Sequence, residues 1–194
     1  PATVFSSIDH GGRYAFGNQP HIVRWNLARL AEALLPHIDP DQDAAVAAAM
    51  VVIDGFPDRF TAAWRAGMAA KLGLEDPRGG DDVLIDAWLG LLQEQHADHT
   101  AAHRALADAV RGDDRVLRSW LDDPAALDRW LTPYRERLAH DPRPPAAIAD
   151  AMDAVNPVVI PRNHLVEEAL AAATAGDLAP FEHLLAEVTR PFAP

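Results

Sequence analysis

The apolar residues that follow residue 20 recur three and four positions apart, which is the period of an α-helix with one buried face. Prolines and glycines divide the chain into segments of helix length. No segment alternates apolar and polar residues between turn signals, as a half-buried β-strand does. Alanine supplies much of the 49% apolar content, which also favours helix. The sequence therefore predicts an all-α fold, with about eight or nine helices at typical helix lengths.

Proline, glycine and aspartate mark where the predicted helices begin and end. Pro36 is expected to end the first helix, and Asp39 followed by Pro40 is expected to begin the second. A long helix is expected from Asp82 until Gly112 stops it. The tryptophans fall on apolar helix faces and are predicted core residues: Trp25, Trp64, Trp88, Trp120 and Trp130.

Composition argues against several kinds of site. The formal net charge is −12, and an acidic surface repels nucleic acid. There is no G-x-x-x-x-G-K-[ST] phosphate-binding loop, and cysteine is absent, so neither a disulfide nor a cysteine-ligated zinc site is possible. With no apolar run of membrane-spanning length and no signal-like N-terminus, the sequence predicts a soluble, cytoplasmic protein that binds neither nucleic acid nor membrane.

Residues 6–20 are the segment richest in special residues, with three glycines, one proline and two aromatics. Such a loop is costly to order and is typical of places where chemistry or a partner is near. Asp9 and His10 have the groups of an acid/base pair. Arg13 could hold a phosphate or a carboxylate, and Asn18 could orient a backbone turn. The alternative is that these polar groups satisfy one another and the loop backbone.

A second candidate is the pair Arg162 and Asn163, which follows Pro161 at the start of a predicted helix. A cation in a first helical turn opposes the helix dipole, so Arg162 is expected to have an acceptor elsewhere. The alternative interpretation is that the pair only braces the helix start against another loop.

Three histidines form a third candidate. His96, His99 and His103 are spaced by three and four, which would place them on one helix face in a geometry suited to zinc. The alternative is a solvated helix face, because no H-E-x-x-H motif is present.

Five pieces of the sequence, in this order along the chain, carry a family resemblance. SIDHGGRYAFGNQP and IVRWNLARLAEALLP follow each other near the start of the chain, and NPVVIPRNHLVEEAL begins at residue 156. The pieces GD at residue 176 and RPF at residue 190 close the pattern. In this order the motifs resemble the selenoprotein O family, whose members have a protein-kinase-like fold and transfer AMP from ATP to serine, threonine or tyrosine hydroxyls of proteins.

The resemblance implies an organisation for this chain. Residues 1–20 would be the loop that follows the metal-binding Asp motif, and residues 21–194 one helical domain that corresponds to the lower lobe and C-terminal extension of the kinase-like fold. The catalytic residues and those that bind ATP and Mg²⁺ would precede residue 1. The chain, which begins with Pro1, is then expected to be a fragment that binds no cofactor or metal by itself and is not an enzyme on its own.

The resemblance also places seven residues near the site or on its substrate side: Asp9, His10, Arg13, Tyr14, Asn18, Arg162 and Asn163. Protein substrates and ATP would be partners of the full-length protein, and the fragment is expected to self-associate through apolar surface left uncovered. The alternative function is a non-catalytic helical module that binds a partner protein.

Overall fold

A computed structural model describes residues 3–4, 6, 8–76 and 78–192 and divides the chain into two compact units, Pro1–Arg65 and Ala66–Pro194. Pro1, Ala2, Phe5, Ser7, Pro77, Ala193 and Pro194 lie outside the described residues. Within the described ranges there are ten α-helices and no β-strand, which confirms the all-α prediction. The prediction of one helical domain over residues 21–194 stays a prediction.

The first unit contains a short 3₁₀ turn and two complete helices. Their bounds are Phe16–Asn18 for the turn, Gln19–Ile38 for α1 and Gln42–Asp54 for α2. The third helix, α3, spans Phe56–Lys71 and therefore crosses the boundary between the units.

The second unit continues with seven helices. They are α4 (Asp81–Glu94), α5 (His99–Arg111), α6 (Arg115–Ser119), α7 (Pro124–Leu138), α8 (Pro145–Asp153), α9 (Asn163–Thr174) and α10 (Ala179–Val188). In this unit α5 packs on α6 and α8, α4 on α7, and α9 on α10.

Two predicted boundaries of the first unit are wrong by a few residues. Pro36 lies inside α1, which continues to Ile38, because a proline removes only its own N–H and leaves the following residues free to donate. The cap of α2 is Asp41, whose carboxylate accepts the N–H groups of Asp43 and Ala44 at 2.9 and 3.0 Å, so Asp39 does not cap this helix.

The predicted long helix from Asp82 to Gly112 is two helices. The chain breaks between Glu94 and His99, where His96 adopts a left-handed backbone conformation with φ of +51°. Asp98 then caps α5 by accepting the N–H of Ala101 at 2.8 Å. The predicted end at Gly112 is confirmed, since this residue is the left-handed C-cap of α5.

Stacked aromatic rings form the centre of the second unit. Trp130 lies 4.6 Å from Trp88 and 4.5 Å from Tyr134, measured between ring centroids. Each polar end has a partner: the Trp130 indole donates to the carbonyl of Leu84 at 3.0 Å, and the Tyr134 hydroxyl donates to that of Leu72 at 2.8 Å. Burial of Tyr134 raises the pKa of its phenol. The rings contribute apolar area without leaving a buried donor unpaired.

The core prediction is confirmed for two tryptophans and wrong for two others. Trp88 and Trp130 are buried, whereas Trp25 and Trp120 are 50% and 43% exposed. Trp25 lies on a helix that buries none of its residues, so its spacing marks an apolar face that the described residues leave uncovered. Trp120 is the C-cap of the five-residue helix α6. Trp64 is half-buried.

His103 is a buried histidine with both ring nitrogens engaged. Its Nε2 accepts the indole N–H of Trp88 at 3.1 Å, and because an indole can only donate, Nδ1 carries the ring hydrogen and donates to the carbonyl of His99 at 2.7 Å. Burial lowers the pKa of His103 from 6.5 to about 3, so the ring stays neutral in the folded protein.

We expect acid to destabilise the protein through His103. Between pH 6.5 and 3 an unfolded histidine binds a proton that buried His103 does not, so the free energy of unfolding falls as the pH is lowered. The fall due to this residue is up to about 1.4 kcal/mol per pH unit. Urea unfolding of the wild type and His103→Gln between pH 7 and 5 measures it. Parallel pH dependences of the two proteins would contradict this explanation.

Large apolar side chains on α9 and α10 are exposed: Leu165, Leu170, Phe181 and Leu185 are 38%, 49%, 44% and 47% accessible. Exposed apolar side chains on two helices that pack together favour association. We therefore expect this chain to form dimers or larger species at micromolar concentration in light scattering. Phe181→Glu should shift the population towards monomer, and Val83→Glu, on the exposed surface of α4, is the control. A wild-type monomer over the whole concentration range would contradict the expectation.

No helix within the described part of the chain is long and apolar enough to cross a membrane.

Candidate functional site

Asp9 organises the opening loop through its carboxylate. One oxygen accepts the backbone N–H of Arg13 at 2.9 Å and the other accepts that of Tyr14 at 2.8 Å. The backbone N–H of Gly12 donates to the carbonyl of Asp9 at 3.2 Å, which closes a turn inside the same loop. Asp9 thus acts as an Asx-type brace that pairs amides lacking helical partners.

The end of the loop is tied to the start of α1. The side-chain amide of Asn18 donates to the carbonyl of Gly12 at 2.9 Å, and that of Gln19 donates to the carbonyl of Tyr14 at 2.6 Å. Gly12 has a φ of +66°, a conformation that glycine adopts without strain. The loop therefore has a defined backbone set by its own side chains.

Arg13 presents a guanidinium group on this loop. Its Cζ lies 5.0 Å from the centroid of the Trp25 ring and 5.6 Å from that of Tyr14, which is cation–π distance. Within the described ranges Arg13 makes no side-chain hydrogen bond and no ion pair, and it is exposed. His10 is exposed on the same loop, and Tyr14 is 47% exposed.

Arg162 has the acceptor that the sequence predicted. It is the N-cap residue of α9, and its guanidinium donates to Asp98 Oδ2 at 2.6 Å. This hydrogen bond lowers the pKa of Asp98 and raises that of Arg162. The other Asp98 oxygen caps α5, so one carboxylate connects the starts of two helices. Asn163 is the first residue of α9 and is exposed.

Asn156 is a buried residue whose role the sequence reasoning missed. Its side-chain amide donates to the carbonyl of Lys71 at 2.9 Å, and its own carbonyl accepts the Arg104 guanidinium at 3.2 Å. The Lys71 ammonium donates to the carbonyl of Val155 at 3.0 Å, and burial lowers the pKa of Lys71. The sequence did contain a signal for this role. Asn156 follows a predicted helix and precedes Pro157, and asparagine at such a position often makes local hydrogen bonds to the backbone.

Two of the motif pieces meet in the second unit. The backbone N–H of Val158, in NPVVIPRN, donates to the carbonyl of Pro191, in RPF, at 2.6 Å. The predicted residues fall in both units: Asp9, His10, Arg13, Tyr14 and Asn18 lie in the first, and Arg162 and Asn163 lie in the second.

The predicted histidine face is wrong. His96 precedes α5 in a left-handed conformation, α5 begins at His99, and His103 is turned into the core against Trp88. Among the residues with described positions, no three histidine, aspartate or glutamate side chains come together in a way that could hold a metal ion. The acidic and histidine residues described here therefore do not fit a magnesium or zinc site.

The second unit has two concave surfaces. A pocket of about 530 Å³ opens between α5, α7 and α8, and a groove of about 770 Å³ runs between α4 and α7. None of the seven predicted site residues lines either of them. The candidate site is consequently the surface of the opening loop.

Comparison with known proteins agrees with the motifs. Residues 1–189 match the family model described as protein adenylyltransferase SelO, so the chain belongs to the SelO family and the resemblance is confirmed. The fold and this match define a nucleotidyltransferase family protein built, over the described residues, from helices alone.

Bacterial relatives named protein nucleotidyltransferase YdiU are about half identical to this chain. The Cereibacter sphaeroides protein is 52% identical over 192 residues, which cover 99% of this chain and 38% of that protein. The Pseudarthrobacter chlorophenolicus protein is 50% identical over 199 residues, covering 100% and 39%. The chain thus spans about 39% of the length of the curated relatives that it matches.

Removing the Asp9 brace should open the loop without unfolding the helices. In Asp9→Ala the amides of Arg13 and Tyr14 lose their acceptors, so we expect their hydrogen exchange to be faster by about tenfold, since a hydrogen bond to a charged acceptor is worth about 1.5 kcal/mol. Asp9→Asn, which keeps an acceptor oxygen, is the matched control and should show a smaller change. Equal exchange in all three proteins would mean that Asp9 does not order the loop.

Proposed function

We propose that this chain is the C-terminal helical part of a protein adenylyltransferase that transfers AMP from ATP to serine, threonine or tyrosine hydroxyls. The observation that carries the proposal is the SelO family match over residues 1–189, together with half identity to the YdiU relatives along the whole chain. In this proposal the helices form the lower lobe and C-terminal extension of a kinase-like fold, and the full-length protein works in the cytoplasm.

The proposed contribution of the opening loop is positioning. Transfer of AMP requires an acceptor hydroxyl to attack the α-phosphorus while pyrophosphate leaves, and most of the catalysis in phosphoryl-type transfer comes from holding the reactants in line. Asp9 and Asn18 hold the loop backbone through hydrogen bonds to its amides and carbonyls. The loop can therefore present Arg13 and Tyr14 to a substrate without first being ordered by it.

ATP and Mg²⁺ are assigned to other parts of the full-length protein. The described residues supply no metal-ligand cluster, so no step of the reaction is assigned to an ion held by this chain. The role proposed for the chain is a scaffold and a surface on the substrate side. Braced polar groups and exposed aromatic rings on one loop are consistent with such a surface.

A non-catalytic interaction module is the second candidate. The exposed apolar residues of α9 and α10 favour it, because exposed apolar side chains on two packed helices are available to a partner protein. This candidate and the transferase differ in one respect that can be measured, namely whether AMP is transferred by the full-length protein.

Labelled ATP tests the proposal. The full-length protein should transfer radioactivity from α-labelled ATP, and none from γ-labelled ATP, to a mixture of acceptor proteins. This chain alone should transfer neither. Transfer of the γ-label would indicate a kinase, and no transfer at all would favour the interaction module. AMP incorporation by this chain alone would contradict the assignment of ATP binding to other parts of the protein.

A further inference from the structure

Residues 10–31 form a basic segment in an otherwise acidic chain. They contain three arginines, two histidines and no aspartate or glutamate, although the chain as a whole has a formal net charge of −12. The segment runs from the loop into α1 and lies entirely in the first unit. Asp9 precedes this segment and Glu32 follows it, so the segment can attract an anionic ligand only through an arginine that has no acidic partner.

The three arginines of the basic segment differ in how they are paired. Arg24 donates to Asp54 at 2.8 Å, and Arg29 pairs with Glu32 at 2.5 Å. The Arg13 side chain has no acidic partner within the described residues, and its guanidinium lies near the rings of Tyr14 and Trp25; the Arg29 guanidinium also lies 5.6 Å from the Trp25 ring centroid. A guanidinium that lies over a ring keeps its N–H donors for another acceptor, and its planar geometry suits a carboxylate.

Exposed apolar side chains occur near Arg13 in the loop and on α1, and two of them, Tyr14 and Trp25, lie within cation–π distance of its guanidinium. Tyr14, Phe16 and Trp25 are 47%, 37% and 50% exposed, and Ile8 is 85% exposed. Aromatic residues and arginine are the types enriched at protein-binding surfaces. A free phosphate would use the guanidinium but not these rings, whereas a peptide with an acidic residue beside an apolar one would use both.

We propose that Arg13 binds an aspartate or glutamate side chain of the protein substrate while the neighbouring apolar residue of that substrate packs on Trp25 and Tyr14. This inference rests on the proposed function, because it names the class of substrate sequence that the same loop accepts. The Asp9 brace contributes by fixing the backbone of Arg13 and Tyr14 before the substrate arrives, which lowers the entropy cost of binding.

Two peptides test the proposal. One carries a tyrosine flanked by Glu-Phe and Phe-Glu, and the other has Gln in place of each Glu. Their dissociation constants are measured by calorimetry with this chain and with the full-length protein at fixed ionic strength. We expect the Glu peptide to bind about fivefold more tightly, because a pair between an exposed guanidinium and a carboxylate is worth up to about 1 kcal/mol.

Matched variants separate the Arg13 contact from general electrostatics. Arg13→Gln and Arg24→Gln remove the same charge from the same segment, and Arg24 already has Asp54 as a partner. The preference for the Glu peptide should fall to about twofold or less in Arg13→Gln and persist in Arg24→Gln. An equal loss in both variants, no preference in the wild type, or no binding of either peptide would overturn the proposal.

Two further outcomes would also overturn the proposal that Arg13 binds an acidic side chain of the substrate. Displacement of the Glu peptide by ATP from this chain alone would overturn the proposal in favour of a nucleotide phosphate. Binding by this chain but not by the full-length protein would overturn it, because another segment would then cover the Arg13 surface.

If AMP transfer fails in the labelling experiment but the Arg13-dependent preference persists, the proposed function fails and the acidic-peptide site stands. If transfer is observed without the preference, only this inference fails.

Discussion

Backbone amides and carbonyls outside helices need partners, and a few short polar side chains supply them here. In the first unit the carboxylate of Asp9 accepts two consecutive loop amides, and Asn18 donates to the carbonyl of Gly12. In the second unit the carboxamide of buried Asn156 donates to the carbonyl that ends α3 at Lys71. Without such partners the irregular segments that carry the family motifs would be free to adopt many conformations.

Most helices could be predicted from apolar spacing and from residues that begin or end helices. The prediction was wrong where these signals did not mark a helix end. The residues from 93 to 100 are polar except for Ala97, but they include no proline or glycine that would mark a helix end. The break is made by His96, a residue type that adopts the left-handed conformation only occasionally. Asp98 caps α5, but the local sequence would look the same if Asp98 were a polar residue on the surface of one continuous helix. The sequence could therefore predict helix content but not this boundary, and the error placed His96 on one helix with His99 and His103 although it precedes α5.

Burial was harder to predict than periodicity. Trp25 has the same helical spacing as Trp88, yet Trp88 lies between α4, α5 and α7, while α1 buries none of its residues. Spacing identifies an apolar face but does not tell which partner covers it. For the candidate site, sequence reasoning selected Arg13 and Arg162 and expected an acceptor for Arg162. It could not show that Arg162 is paired with Asp98 whereas Arg13 lies only against aromatic rings.

In the proposed function, this chain shapes the substrate side of the reaction and does not hold the nucleotide. An experimental structure of the full-length protein with Mg²⁺ and a non-hydrolysable ATP analogue would test this division directly. We expect residues outside this chain to contact the metal and the triphosphate, while Asp9 still accepts the amides of Arg13 and Tyr14 and the Arg13 guanidinium is open to solvent. A metal ion or a triphosphate bound by side chains of this chain would contradict it.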